Sequence, residues 1–174
     1  MSNLYDYQTE DRVLGAIIRY KEEYDKVSRY FVDLSVFGQD RARVLWKKVT
    51  HMTRNGDFID MNTVCASLSE KDISAGCTTY YISTCYSQSP AKGTAEYYAT
   101  KVYEKFLLRR VAKQSALVNE KAKGNNSDVY DVITDAHSLF GELLNIKPSN
   151  AANINDVIDE TLSDINNKTT KLIK

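Results

Sequence analysis

The sequence predicts an all-α protein with a small helical body, a long antiparallel helical hairpin and a C-terminal linker helix. Apolar residues recur at helical spacing along most of the 174 residues. No stretch longer than a few residues alternates between polar and apolar side chains beside a hairpin turn, so strands are not expected. The run from residue 96 to 122 contains neither proline nor glycine. As a helix it would be about 40 Å long, which exceeds what a body of this size needs.

The body is expected to span residues 1–94, and its first three helices are indicated by apolar residues at helical spacing. Thr9 is the expected N-cap of the first, with Glu10 in the first turn. The second is expected to begin near Glu22. The third follows Gly38 and ends at an Asn-Gly turn. The predicted core positions of these helices are Val13, Leu14, Ile17, Ile18, Tyr24, Val27, Phe31, Ala42, Leu45, Trp46, Val49 and Met52.

Two shorter helices complete the predicted body. Asp60 is expected to cap the first of them, and Gly76 precedes the second. The polar segment 87–93 then reads as a loop because it contains serine, proline and glycine. The inward positions of the two helices are Met61, Val64, Cys65, Leu68, Tyr81, Ile82 and Cys85.

The hairpin is expected to span residues 95–146, with a turn at residues 123–127. Its second arm carries apolar residues on one stripe: Val129, Val132, Ile133, Ala136, Phe140 and Leu143. A polar linker, residues 147–155, contains Pro148, which bars helix continuation. The last segment, 156–174, is an amphipathic linker helix whose apolar side needs a docking partner. The residues expected to dock are Val157, Ile158, Leu162 and Ile165.

The apolar face of the first arm changes direction at Leu107. At about 100° per residue, the apolar positions before Leu107 lie nearly half a turn from those after it. The first part therefore packs on the body. The second part either packs only on the other arm or also meets the hairpin of a second subunit in a four-helix arrangement, which we favour. The residues predicted to carry this pairing are Leu107, Leu108, Val111, Val118, Val129, Ile133, Phe140 and Leu143.

Charge gives little support for nucleic-acid binding. Lys and Arg together number 23, as do Asp and Glu, so no overall positive field is expected. The first arm is taken as the only basic concentration, opposite an acidic second arm, which favours charge complementarity between arms or subunits. The 12 tyrosines would stack on bases only in a basic groove. Direct DNA contact is therefore expected to be weak or absent.

No catalytic, metal or cofactor site is expected in the chain. His51 and His137 are the only histidines, and no nucleophile is spaced to pair with either. The three cysteines include no CxxC pair, which favours reduced, structural thiols. The polar N-terminus lacks a signal peptide and no apolar run reaches membrane length, so a cytoplasmic protein without membrane contact is expected.

Four segments resemble the N-terminal domain of the DnaB-type replicative DNA helicases. Glu10 precedes Val-Leu-Gly-Ala-Ile-Ile at 13–18, and Phe37 precedes the Leu45-Trp46 pair. Gly56 opens a segment that runs to Val64. The most specific match is YYATKVYEKFLLRR at 97–110. The order and spacing of the four segments carry the resemblance, which covers nearly the whole chain.

The resemblance implies a domain that pairs subunits of a hexameric helicase and docks primase, and possibly a helicase loader. The chain has no GxxxxGK[ST] loop, so ATP and magnesium are expected only in a motor domain that it lacks. The chain by itself is therefore not expected to be an enzyme. Two alternatives stay open: the helicase-binding domain of a primase, whose fold is similar, and a stand-alone helical dimerisation adaptor.

Overall fold

The computed structural model describes residues 4–124, 128–146 and 148, and within these ranges the chain forms helices and no strands. The all-α class is confirmed. The predicted linker helix, with Val157, Ile158, Leu162 and Ile165, lies outside the described residues. The helices are α1 (Tyr7–Arg19), α2 (Tyr24–Ser28), α3 (Asp40–Asn55), α4 (Met61–Ala66), α5 (Glu70–Ser74), α6 (Thr79–Ser87), α7 (Ala95–Lys123) and α8 (Val129–Asn145). Two 3-10 turns cover Lys21–Glu23 and Leu34–Val36.

Helix α1 lies at the centre of the body and contacts α3, α6 and α7. Its apolar residues Val13, Leu14 and Ile17 are fully buried. The prediction that Thr9 caps this helix is wrong. Asp6 is the N-cap, because its carboxylate accepts both the Thr9 backbone N–H at 3.1 Å and the Thr9 hydroxyl at 2.8 Å. The helix therefore begins three residues earlier than its sequence signal indicates.

Helix α2 is shorter than the apolar spacing predicts. It ends at Ser28, yet Phe31 beyond its end is buried as predicted. The Trp46 indole N–H donates to the Phe31 carbonyl at 3.1 Å, and the Phe31 ring packs edge-on against Trp46. A residue beyond the end of a helix is thus held in the core by the ring and the hydrogen bond of α3.

Helices α3, α4 and α6 follow the sequence signals. Gly56 ends α3 in the left-handed conformation with φ 73°, which suits glycine. Asp60 and Thr63 form a reciprocal capping box at the start of α4. Helix α5 was not predicted. It forms because Ser69 and Asp72 make a second capping box, although its five residues include none that is buried.

Gly15 sets the closest approach between α1 and α6. A Cβ atom at this position would lie 1.8 Å from the Cys85 carbonyl oxygen. Only a residue without a side chain lets the two backbones meet at this distance. The Val-Leu-Gly-Ala sequence of α1 is therefore a packing requirement of the body.

Helix α7 belongs to the body for its first third and then leaves it. Its buried apolar residues are Ala95, Ala99, Val102, Tyr103 and Phe106, as the helical angles predict. Beyond Phe106, Gln114 alone among the α7 residues is buried. Helix α8 returns antiparallel to this outer part, so the two helices form a hairpin that extends past the body.

Candidate subunit interface

Helix α8 carries two neighbouring apolar stripes. The inner stripe faces α7 and is half-buried; it consists of Val132, Ala136, Leu139 and Leu143. The other stripe is exposed: Val129 is 67% accessible, Ile133 59%, Phe140 36% and Leu144 81%. A helix with a second apolar stripe in water has surface that another element can bury.

Helix α7 carries a matching stripe beyond the body. Leu108 and Val111 are 46% and 41% exposed. Ser115, Val118 and Ala122 continue this line at intervals of three or four residues. All five lie within an arc of about 80°, at about 100° per residue. No Asp, Glu, Lys or Arg lies within this arc between Leu108 and Ala122.

Both stripes turn to the same side of the hairpin. On each helix, one side faces the other helix and the exposed stripe is rotated from that side by about 90° around the helix axis. The direction of this rotation, viewed along the chain, is the same for α7 and α8. Because the helices run antiparallel, these equal rotations bring both stripes to one side. The body contacts α7 on nearly the opposite side, through Ala99, Val102 and Phe106. We call this surface the outer face: Leu108, Val111, Ser115, Val118, Ala122, Val129, Ile133, Phe140 and Leu144.

The reverse side of the hairpin is polar and charged. Its residues include Lys113, Glu120, Asp131 and Glu142. Lys121 of α7 forms an ion pair with Asp135 of α8, so the predicted charge complementarity between arms is present at this pair. An exposed pair of this kind adds little stability, about 0 to 1 kcal/mol. The hairpin thus has one uncharged side and one charged side.

Arg109 joins the base of the hairpin to the body, a role that the sequence did not indicate. Its guanidinium donates to the Val36 carbonyl at 2.6 Å, and to the Ser35 and Leu4 carbonyls at 3.1 Å each. It also lies over the Tyr5 ring, 4.9 Å from its centroid. Although Arg109 belongs to the basic first arm, its hydrogen bonds go to the body and not to the acidic second arm. Its planar guanidinium donates several hydrogen bonds at once, and two of the accepting carbonyls belong to the 3-10 turn Leu34–Val36.

Glu10 is a buried carboxylate close to this junction. It is 1% exposed, and one of its oxygens accepts the Gly38 backbone N–H at 2.8 Å. Burial raises its pKa above the ordinary value near 4.5, while the Gly38 hydrogen bond and the charge of Arg109 oppose that rise. The folded protein therefore binds a proton at Glu10 more tightly than the unfolded chain does.

Substituting Glu10 by Gln tests this linkage. As the pH falls from about 7 to about 5, the free energy of unfolding of the wild type is expected to rise relative to that of Glu10→Gln. The reason is that the cost of burying the charge disappears as Glu10 is protonated in the folded state. Urea unfolding at each pH, followed by Trp46 fluorescence, measures the difference.

Glu22→Gln is the matched control for that substitution. Glu22 pairs with Lys92, whose hydrogen bond lowers the pKa of the Glu22 carboxyl. Its stabilising effect is therefore fully present above about pH 5 and is lost only at lower pH. The difference between wild type and Glu22→Gln should be constant over the tested range. A constant difference for Glu10→Gln as well would contradict the assignment.

The structure brings most of the predicted pairing residues onto the outer face. Leu108, Val111, Val118, Val129, Ile133 and Phe140 lie there. Leu107 instead packs against the body core, and Leu143 belongs to the inner stripe. Tyr130, 78% exposed beside the outer face, was missed. Its position one residue after Val129 is off the strict helical spacing, so periodicity alone does not identify it.

Basic residues are not confined to α7, contrary to the sequence prediction. Helix α3 carries five basic residues and one acidic residue. The two histidines are exposed on separate helices, His51 on α3 and His137 on α8. No group of three or more potential ligands could hold a metal ion in the described part of the chain. Nor does any described helix have the length and apolar character needed to cross a bilayer.

Comparisons with known proteins agree on one family. The sequence profile of the DnaB-like helicase N terminal domain matches residues 2–104. The replicative DNA helicase DnaC of Bacillus subtilis (strain 168) is 24% identical over 161 residues, which are 91% of this chain and 35% of that helicase. The chain thus spans about a third of the length of this curated relative.

Solved structures share the fold. The N-terminal domain of DnaB helicase from Mycobacterium tuberculosis superposes with a TM-score of 0.69 at 24% identity, over 79% of this chain and 97% of that one. A DnaB-like replicative helicase, described with its interactions with primase, gives a TM-score of 0.62 at 17% identity. That match covers 91% of this chain and 35% of the helicase. Because the family profile covers more than half of the sequence, the chain belongs to the DnaB-like helicase N-terminal domain family.

Proposed function

We propose that this chain is the N-terminal assembly module of a hexameric replicative DNA helicase and pairs subunits through the outer face of its hairpin. The observation that carries the proposal is the continuous uncharged surface formed by α7 and α8. Membership of a helicase domain family supports it. The curated relative is a helicase, which favours this proposal over the alternative of a primase domain.

Physical chemistry favours a second copy as the occupant of the outer face. A patch of exposed Leu, Val, Ile and Phe is unfavourable in water by about 25 cal/mol per Å² of apolar surface that could be buried. Two copies related by a two-fold axis would place the same patch on both sides of the contact. Four helices then surround a common apolar core, which is a frequent solution for two hairpins. The body lies on the other side of α7 and does not block the approach.

Sedimentation velocity of the purified chain tests the pairing. We expect monomers at low micromolar concentration to convert to dimers as the concentration rises to about 100 µM, since a modest apolar contact of this kind gives micromolar affinity. Raising the salt concentration should not dissociate the dimer, because the outer face has no charged residue. A sedimentation coefficient that stays monomeric up to high micromolar concentration would contradict the proposal.

We further propose that the paired module presents a docking surface to primase or to a helicase loader. The support is the structural neighbour described with its interactions with primase. Adding purified primase in the same sedimentation experiment should produce a faster species; the absence of one would count against primase as the partner.

The same proposal places ATP hydrolysis outside this chain. ATP and magnesium would act in the part of the relatives that this chain does not span. Direct DNA contact by this module would be weak, and the site of action would be the cytoplasm.

A further inference from the structure

The outward side of α3 carries a row of basic residues. Lys47, His51 and Arg54 follow one another at intervals of four and three residues, and all three are exposed. Lys71 of α5 lines the same groove as Lys47 and His51. We call Lys47, His51, Arg54 and Lys71 the basic ridge. It lies on the body, away from the outer face of the hairpin, and the inference does not depend on subunit pairing.

The neighbouring basic residues are already paired, whereas the lysines and arginine of the ridge are not. Lys48 lies 3.0 Å from Asp72, and Arg43 lies 2.6 Å from Asp40. Within the described ranges, no carboxylate lies within ion-pair distance of Lys47, Arg54 or Lys71. Three positive side chains are therefore free to meet an anionic partner.

Burial of acidic residues makes this surface more positive than the neutral sequence indicates. Residues 4–94 contain equal numbers of basic and acidic residues. Three of the acids are buried in the body: Glu10, Asp11 and Glu23, at 1%, 7% and 1% exposure. The body therefore exposes fewer acidic than basic residues, and the unpaired bases Lys47, Arg54 and Lys71 lie together on and beside α3.

Grooves flank the basic ridge on both sides, and their floors are apolar. The first has a volume of about 470 Å³ and is lined by Phe31, Val32, Leu34 and Trp46 below Lys47 and Arg54. Val32 is 71% exposed. The second, of about 480 Å³, is lined by Val44 and Ala75 next to Lys71, and also by the Lys48–Asp72 ion pair. Lys47 and His51 border both grooves.

The combination of charge and apolar floor favours a protein segment over a nucleic acid. Single-stranded nucleic acid needs aromatic faces on which bases can stack. Trp46 is only 4% exposed, and its ring is stacked on Tyr24, so its face is not available to a base. An acidic helix with an apolar stripe matches both features, since its carboxylates meet the lysines and its apolar side chains enter the grooves.

We propose that the basic ridge and its two grooves form a docking site for an acidic amphipathic helix of a partner protein. Lys47, Arg54 and Lys71 hold the carboxylates of the helix, and Val32 contacts its apolar stripe. The charged contacts set the orientation and the rate of docking, while the apolar floor contributes the affinity that remains at high salt.

Fluorescence anisotropy with a labelled model peptide tests the proposal. The probe is an acidic helical peptide of about 18 residues, with Leu every three or four positions and Glu or Asp elsewhere. The wild type is expected to bind it with a Kd below about 100 µM. The double variant Lys47→Glu/Arg54→Glu should weaken binding by about tenfold or more. Val32→Ser should weaken it by about threefold through the loss of apolar contact.

A charge-matched variant and a second probe complete the design. Lys113→Glu/Lys123→Glu changes the net charge equally on the hairpin and should leave the affinity within about twofold. Failure of the wild type to bind the peptide, or equal binding by the Lys47/Arg54 variant, would overturn the proposal. So would tighter binding of a labelled oligothymidylate that depends on Lys47 and Arg54, because the ridge would then be a nucleic-acid site.

Discussion

Val111→Asp is expected to weaken the proposed self-association of the chain by at least about a hundredfold, so that only monomers are observed. Val111 is the second of the five α7 residues of the outer face and is 41% exposed in the single chain. In a two-fold contact the substitution appears twice, so two unpaired carboxylates would be buried in one apolar interface. Each such burial costs several kcal/mol, about 3 or more. Sedimentation velocity over a concentration series measures the loss.

Ala116→Asp is the matched control for Val111→Asp. Ala116 is exposed on the same helix, but it lies about 140° around α7 from Val111, outside the outer face. The added charge is the same, and the helix-propensity penalty is larger because alanine is the better helix former. Self-association should nevertheless be unchanged. Circular dichroism should give the same helix content for both variants. If Val111→Asp sediments like the wild type, the outer face is not the pairing surface.

Gly15→Ala is expected to destabilise the body by about 3 kcal/mol or more, through overpacking. The added Cβ would lie 1.8 Å from the Cys85 carbonyl oxygen and 2.5 Å from its carbonyl carbon. Both are backbone atoms, so no side-chain rotation relieves the overlap and α1 and α6 must separate. Core residues on both helices, including Leu14 and Ile82, would then lose contacts. Urea unfolding followed by the fluorescence of Trp46 measures the change.

Gly141→Ala, in contrast to Gly15→Ala, is expected to stabilise the protein. Gly141 lies inside α8, and a Cβ there would have no heavy atom within 4 Å. Alanine should therefore stabilise the helix by about 0.5 to 1 kcal/mol. Hydrogen exchange of the hairpin amides should become slower. An unfolding midpoint of Gly15→Ala close to that of the wild type would contradict the close approach of α1 and α6.

Local sequence signals predict the helices that have a regular apolar stripe. Leu45, Trp46 and Val49 mark α3 correctly because this helix turns a single side to the core. The 29 residues of α7 were also recognisable, since no proline or glycine interrupts them. Helix α5 was missed because its stability comes from the capping box of Ser69 and Asp72 rather than from buried apolar residues.

The contacts that fix the arrangement of the helices could not be predicted. Arg109 has the sequence context of a surface residue, and its real partners are carbonyls far away along the chain. For the candidate site, helical angles place Leu108 and Val111 on one side correctly. The same angles do not reveal that the body covers Leu107. Whether it does depends on the angle between the axis of α7 and the surface of the body. The basic ridge was missed because its significance depends on which acids are buried.

The junction at Arg109 has a mechanical consequence for an assembled protein. Helix α7 is continuous from Ala95 to Lys123, and Arg109 fastens it to the 3-10 turn near the middle of its length. We therefore expect body and hairpin to keep a fixed angle at the point where α7 leaves the body. If hairpins pair through the outer face, the angle at Arg109 sets both the distance between two bodies and the directions in which their basic ridges point. A weaker Arg109 junction would thus alter the geometry of the assembly without changing any residue of the pairing surface.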